Sequence, residues 1–337
     1  MKTFRSCLKQ VLVTTLGATS LLASTDSWAD WTLTFAHAHP IEDSQHLAAE
    51  VFSKRVAERT GGEIKIRIFP NGQLGNDQAM IAGVRGGTID IELSGNPYFS
   101  GLTGELNVLD LPFLFDDNEQ AYRVLDGIVG QELLDKMGKQ SIQGLAFWEI
   151  GFRNLTNSRR AVESAADIAG LKLRTTPNPA HIAAFKAMGA NPIPMPFAEL
   201  FTSLETRTVD GQENPVSLIR SAKLYEVQNH LSLTAHAYTA APLIMNKAKF
   251  DSLPAEYQQV LKEEALAAAH YQRQLNTERQ TADLDYLRQQ GVSIVEQPDR
   301  DSMRHQVEAP VRAMFIENHG QELLDAVEQA KQMEGAQ

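Results

Sequence analysis

His37 and His39 stand two positions apart, directly after the short extended run 31–35. Side chains at i and i+2 of a strand share a face, so such a pair could hold one metal ion, and barrel hydrolases place paired histidines at a strand end. A working site needs further ligands at later strand ends. His181, His230, His236, His270, His305 and His319 fall mostly in helix-like stretches instead, and no second cluster forms. The pair therefore reads first as a pocket lining or a strand cap, and a secreted metal-dependent hydrolase is the remotest of the readings. Other catalytic signatures are missing as well: there is no nucleophile elbow, phosphate loop, dinucleotide glycine fingerprint or cysteine-based metal spacing. The sequence predicts no enzyme.

Two arginines point to a different chemistry. Arg153 follows Glu149-Ile150-Gly151-Phe152, at the expected end of a strand, and Arg174 ends the run Gly170-Leu171-Lys172-Leu173-Arg174. Ligands of open α/β sheets sit at the carboxyl ends of strands, where a planar guanidinium matches both oxygens of a carboxylate. A small organic acid is the natural guest. For either arginine taken alone, an ordinary surface pair with Asp or Glu stays open. The segment Asn191-Pro192-Ile193-Pro194-Met195-Pro196 excludes helix, because each proline removes a donor and pushes its predecessor into extended geometry. It reads as a rigid connector that either joins two helices or fixes Phe197 at a site.

These residues need a scaffold, and strand-like and helix-like stretches alternate along the chain. Extended runs at 31–35 and 64–69 flank a helical stretch, 44–60, that stops at Gly61-Gly62. Helix follows at 80–85, strand at 89–93, helix at 119–137, strands at 142–148 and 171–174, and helix at 198–205. An α/β fold results. After Pro254, helical spacing continues to Gln290, either as one helix of about 55 Å lying across two lobes or as two helices broken near Gln280-Thr281.

The remaining signals concern compartment and partners. Lys2, Arg5 and Lys9 precede an apolar run from Val11 to Ala23 and the small-residue site Ser27-Trp28-Ala29, which predicts a secretory signal peptide cleaved after Ala29 and a periplasmic location. No stretch approaches the roughly 20 apolar residues of a spanning helix, so no membrane insertion is expected. Cys7, the one cysteine, would leave with the peptide and excludes disulfides. The chain carries a net charge of -11, and losing a segment richer in bases than acids makes the remainder more acidic still. Nucleic acid is an unfavoured partner. The length after cleavage, about 300 residues, suggests two domains.

Longer strings carry a family likeness. Residues 170–174 (GLKLR), 189–192 (GANP), 195–199 (MPFAE) and 209–215 (VDGQENP), with 74–76 (LGN), 78–95 and 109–115 (LDLPFLF) before them, resemble the solute receptors of tripartite ATP-independent periplasmic (TRAP) transporters. The likeness is to the dicarboxylate-receptor (DctP) type and spans essentially the whole chain after the signal peptide. It implies a two-lobed periplasmic binding protein fold with a hinge and a long helix spanning both lobes. Lobe I would comprise residues 30–150 plus 240–279, and lobe II residues 151–239 plus 280–337. Arg174 would be the principal carboxylate ligand and Arg153 a second anion contact, while Asn214 orients the guest and Phe197 packs on it.

Gly95 and Tyr98 stand where sialic-acid receptors of that family carry Glu and Arg, which disfavours sialic acid. GVRGGTID, PMPFAE and LETRT look instead like the receptors for diketogulonate and hexuronates. The implied guest is a sugar acid such as glucuronate, galacturonate or diketogulonate, with a C4-dicarboxylate as the alternative. His37, His39, Gln45, Asp77, Asn96 and Glu149 lie in segments that line the first-lobe side of the cleft in such relatives and are candidates to hydrogen-bond hydroxyls. The implied mechanism is capture by hinge closure without metal or cofactor, followed by handover to the small and large membrane subunits of the transporter. A sensory receptor for the same ligand stays open as a second role.

Overall fold

The computed structural model describes residues 31–333, so the expected signal peptide and its cleavage site lie outside the described residues. In chain order the elements are β1 (Trp31–His37), α1 (Ser44–Arg59), β2 (Ile64–Phe69), α2 (Asp77–Gly86), β3 (Ile91–Leu93), α3 (Asn118–Asp126), α4 (Ile128–Lys136) and β4 (Ile142–Asn157). There follow β5 (Lys172–Thr175), α5 (Pro179–Ala187), β6 (Asn191–Pro194), α6 (Leu200–Glu205), β7 (Gly211–Asn214), α7 (Val216–Ser221) and β8 (His230–Asn246). The chain closes with α8 (Lys247–Asp251), α9 (Ala255–Gln289), β9 (Ser293–Val295), α10 (Arg300–His319) and α11 (Glu322–Gln332).

One mixed sheet runs through the molecule in the order β2-β1-β3-β8-β4-β7-β5-β6, with β9 beside β8. Its halves are parallel βαβ units: β1 pairs with β2 and β3, and β5 with β6 and β7. Joining them are β4 and β8, antiparallel strands of 16 and 17 residues that belong to both halves. Their pairing slips three times, between Gly144 and Ala146, Glu149 and Gly151, and Arg153 and Leu155. Such bulges bend and twist a ladder where a flat sheet could not turn a corner.

Local chemistry sets the ends of the elements that reach the centre. Asp43 caps α1 by accepting from the Gln45 N–H, and Asn76 caps α2 by accepting from Ala79. The first helix then buries Ala48, Ala49, Phe52 and Val56 against the first half of the sheet, in one apolar cluster with Leu33, Phe35 and Trp148. A second cluster, from Met80 through Phe115 to Phe315, lies beneath α2 to α5, α10 and α11, with α10 packed on α5 and α11 on α3, and a third joins α6 and α7 to Leu287 of α9. α9 is a single helix of 35 residues, about 52 Å long. It is tied to β4 by Trp148 Nε1, which donates to the Ala265 carbonyl at 2.9 Å, and by Gln272, which bonds both the N–H and the carbonyl of Glu149.

Three expectations change. The strand expected to end near Trp148 continues to Asn157, so Arg153 lies in the interior of β4 and not at a strand end. Gly151, at φ +110°, carries the chain through the bulge and lets the ladder resume. The helix expected over 119–137 is split at Gly127, whose extended backbone interrupts it and where a Cβ would meet the Arg123 carbonyl oxygen at 2.6 Å. The proline segment is the edge strand β6 and not a loop. Asn191 N–H donates to Leu171 and Met195 N–H to Thr175, so Pro192 and Pro194 fall on the alternate positions facing away from β5, where no donor is needed.

Gly151→Ala tests the bulge. The added Cβ would meet only Pro215 carbons at 3.7 and 3.8 Å, so its cost is that of the backbone, roughly 1–3 kcal/mol. Urea unfolding should show this loss, and an unchanged midpoint would mean that the backbone relaxes out of the left-handed region.

Candidate functional site

Where β4 and β8 pass between the two halves, residues from both halves and from the long strands line one small gap. His39, Asp77, Gly95, Pro97 and Tyr98 come from the first half, Ile150, Arg153 and Thr239 from the long strands, and Arg174, Thr176, Phe197, Asn214 and Leu218 from the second half. Arg174 stands on β5 and Asn214 on β7, both near the carboxyl ends of parallel strands. Pro196 leads into the single 3₁₀ turn that presents Phe197, and the ring stacks on His39 at 5.6 Å with an 18° tilt.

The two guanidinium groups have different electrostatic status. Arg153 is 1 % exposed and forms a two-pronged pair with Glu213, Nε to Oε2 and Nη2 to Oε1. Its Nη2 also donates to Asn214 Oδ1 at 3.0 Å and its Nη1 to Thr239 Oγ1 at 3.3 Å. Burial opposes ionisation of Glu213, but the Arg153 guanidinium and the hydrogen bond from His236 outweigh it and hold this carboxyl well below the usual glutamate range. Arg174 is equally buried, at 1 %, yet forms no ion pair among the described residues. Nε and Nη2 donate to the Met195 carbonyl at 3.1 and 2.8 Å, and Nη2 also reaches the Tyr98 hydroxyl at 3.0 Å. Arg153 is paired directly with a carboxylate, whereas Arg174 bonds only neutral oxygens and feels the Asp77 carboxyl without a direct ion pair.

Around Arg174 the polar lining suits hydroxyl groups. Asp77, 2 % exposed, has Oδ1 3.1 Å from the Ser94 hydroxyl, while Oδ2 has no partner. Burial raises the Asp77 carboxyl above its ordinary value, against the opposing pull of His39, Ser94 and Arg174. His39 lies with Nδ1 3.5 Å from Asp43, whose other oxygen accepts from Ser221 of α7 at 2.9 Å. The Thr176 hydroxyl meets His181 Nδ1 at 2.8 Å, and burial lowers that imidazole to about 3. His181 is therefore neutral at any ordinary pH.

Of the ten residues singled out from sequence, Arg174, Arg153, Asn214, Phe197, Asp77 and His39 line this one space. The other four do not. His37 is turned to His46, Nε2 to Nδ1 at 3.1 Å, and burial lowers its pKa to about 3. Gln45 donates to the Glu149 carbonyl at 2.8 Å. Glu149 faces the opposite side of β4, where it accepts from Tyr122, Tyr238 and Asn276. Asn96 donates to the Leu106 carbonyl and to Asp110. These four bond within the fold and do not line this space, while Gln45 Oε1, Asn96 Oδ1 and His37 Nδ1 have no hydrogen-bond partner. No metal-binding group of three His, Cys, Asp or Glu occurs among the described residues.

Tyr98, Thr176, Thr239 and Glu213 escaped sequence reasoning as site residues. Glu213 sits in the QENP string beside Asn214, but nothing local shows that Arg153, 60 positions earlier, is its partner. Tyr98 was legible only as a departure from another specificity, whereas here its hydroxyl crosses the cleft to Arg174.

Comparison with known proteins places the chain among solute-binding proteins. The sequence model described as bacterial extracellular solute-binding protein, family 7, matches residues 35–318. The chain is 48% identical over 310 residues, 91% of its own length and 94% of the relative's, to the 2,3-diketo-L-gulonate-binding periplasmic protein YiaO of Escherichia coli. A TRAP periplasmic solute-binding protein from a Polaromonas species, solved with bound D-erythronate, superposes with a TM-score of 0.87 at 37% identity, covering 90% of this chain and 99% of that one. The sugar-acid-binding protein DctPAm from Advenella mimigardefordensis, solved with galactonate, gives 0.86 at 37% identity, covering 89% and 97%.

Glu213→Ala would leave Arg153 buried without its counter-charge and is expected to cost about 3–5 kcal/mol in urea unfolding. Because the Glu213 pKa is depressed, its contribution is present above the ordinary glutamate value and is lost only as pH falls well below it. The variant should lack that part of the acid limb. A loss under about 1 kcal/mol would show that neighbouring dipoles suffice to carry the charge of Arg153.

Proposed function

The chain belongs to the bacterial extracellular solute-binding proteins of family 7, and we propose that its cleft captures a sugar acid and delivers it to the membrane subunits of a TRAP transporter. Receptors of this family bind solutes for transport and are not enzymes. The observation that carries the proposal is the buried guanidinium of Arg174, which has no direct ion-pair partner among the described residues. Removing an ion from water costs several kcal/mol unless a counter-ion or strong hydrogen bonds replace the solvent. A carboxylate in the adjacent space supplies that counter-ion. Arg153, neutralised by Glu213, contributes through Nη1 as a directed donor and not as a second net positive charge.

The same arithmetic favours one carboxylate over two. Away from Arg174 the guest meets Asp77, His39, Thr176 and Thr239. An acid at that end would meet the Asp77 carboxyl directly, whereas hydroxyls would find acceptors and donors. A hexuronate, a diketogulonate or an aldonate fits this division, with Phe197 and Ile150 covering its carbon skeleton and Asn214 fixing its orientation. A C4-dicarboxylate does not.

Capture proceeds by hinge closure about the bulged centres of β4 and β8, which divide the chain into lobe I, residues 30–150 plus 240–279, and lobe II, residues 151–239 plus 280–337. Tyr98 to Arg174 and Asp43 to Ser221 are then contacts made on closing. Export to the periplasm by the N-terminal peptide, with cleavage after Ala29, completes the reading.

A thermal-shift screen of glucuronate, galacturonate, diketogulonate, galactonate, erythronate and succinate tests it. A ligand at one hundred times its dissociation constant adds about 2.7 kcal/mol to stability. Sugar acids should shift the transition and succinate should not; no shift with any sugar acid would overturn the proposal. Arg174→Lys keeps the charge and loses the planar fork, which should weaken binding roughly 30- to 150-fold in calorimetric titration. Unchanged affinity in the folded variant would contradict bidentate recognition.

A further inference from the structure

Behind the cleft, Glu92 lies wholly buried on β3, a central strand whose neighbours β1 and β8 present Ala36 and Ile244 opposite it. Its Oε1 is within hydrogen-bond reach of the Ser94 hydroxyl, which is also 3.1 Å from Asp77 Oδ1. Ser94 has one hydroxyl hydrogen and sits between two carboxyl oxygens. Both contacts are hydrogen bonds only if one of the two acids supplies a second proton.

The surroundings decide which acid holds it. Asp77 faces His39 from the β1–α1 loop, Arg174 from β5 and the Tyr98 hydroxyl from the turn after β3. The groups acting on Glu92 are Ser94 and Asp77, no cation is among them, and its Oε2 has no partner. Burial, with the negative charge of Asp77 adding to it, pushes the Glu92 carboxyl well above its usual range. We propose that Glu92 is a positioning residue: it keeps its proton, donates to Ser94 Oγ, and so turns the Ser94 hydrogen toward Asp77. Asp77 then presents its remaining oxygen, Oδ2, to the guest as a fixed acceptor. Asp77 is 98 % buried, lines the cleft, and has that oxygen otherwise unpartnered.

This relay makes the cleft select for a hydroxyl next to Asp77, and so deepens the sugar-acid reading on which it rests. The glutamate acts through its hydrogen-bond donor, not through its charge. An amide supplies such a donor and cannot ionise.

The experiment compares wild type with Glu92→Gln, Glu92→Leu and Ser94→Ala, using D-galactonate as the hydroxylated probe and propionate as a carboxylate without hydroxyls. Glu92→Gln should bind galactonate within about threefold of wild type, while Glu92→Leu and Ser94→Ala should lose on the order of tenfold, the worth of one ordinary hydrogen bond. Propionate affinity should change in none of them, which a general distortion of the fold would not permit. Infrared difference spectra at neutral pH should show the C=O band of a protonated buried carboxyl in wild type that is absent from Glu92→Gln. The inference is overturned if that band is unchanged, or if Glu92→Gln binds galactonate as weakly as Glu92→Leu. Should wild type bind no sugar acid at all, the functional reading itself fails. A wild type that binds galactonate while all three variants match it removes the relay alone.

Discussion

A buried positive charge must be compensated, and the two arginines of this cleft meet that requirement in opposite ways. Arg153 carries its counter-ion within the chain, since Glu213 grips it from β7. Arg174 is held by a carbonyl and a phenol, which orient the guanidinium without cancelling its charge. A site with both arginines neutralised would have little use for an acid, and one with both uncompensated would carry a heavier desolvation cost when empty. One of each gives a rigid donor beside a receptive cation.

The long strands explain how residues so far apart in sequence hold this arrangement. Glu149, immediately before the bulge, has its backbone fixed by Gln272 of α9 and by Gln45 of α1, and its carboxylate fixed by two tyrosines and Asn276. Two residues later Gly151 takes a conformation that most residues avoid, and two beyond it Arg153 enters the cleft. A firmly pinned position thus lies next to a permissive one. Bending concentrated there would leave the helix-backed halves intact while Tyr98, His39 and Asp43 approach or leave Arg174, Phe197 and Ser221.

Period and punctuation made much of this legible before any coordinates. The 2-residue alternation of Ile64, Ile66 and Ile68, the glycines after α1 and the proline before α9 specify elements whose local preferences agree with the tertiary fold. Arg174 stands out at a strand end and Phe197 after the proline segment, and strings that recur in a family give both their roles and add Asn214. What escaped had non-local causes. The proline edge strand depends on which side of β5 needs donors, and the extension of β4 depends on β7 and β8 arriving on both of its flanks. Glu149, Gln45, Asn96 and His37 have the right chemistry in the right segments, but their partners are backbone carbonyls, tyrosines and another histidine. Side-chain type announces hydrogen-bonding capacity; only packing says where it is directed.

The position of a bound carboxylate is the decisive observation. A crystal structure of the protein with galactonate or glucuronate bound should place both carboxylate oxygens within hydrogen-bond distance of the Arg174 guanidinium, with a hydroxyl against Asp77. A carboxylate seated elsewhere, with Arg174 still bonded only to Met195 and Tyr98, would contradict it.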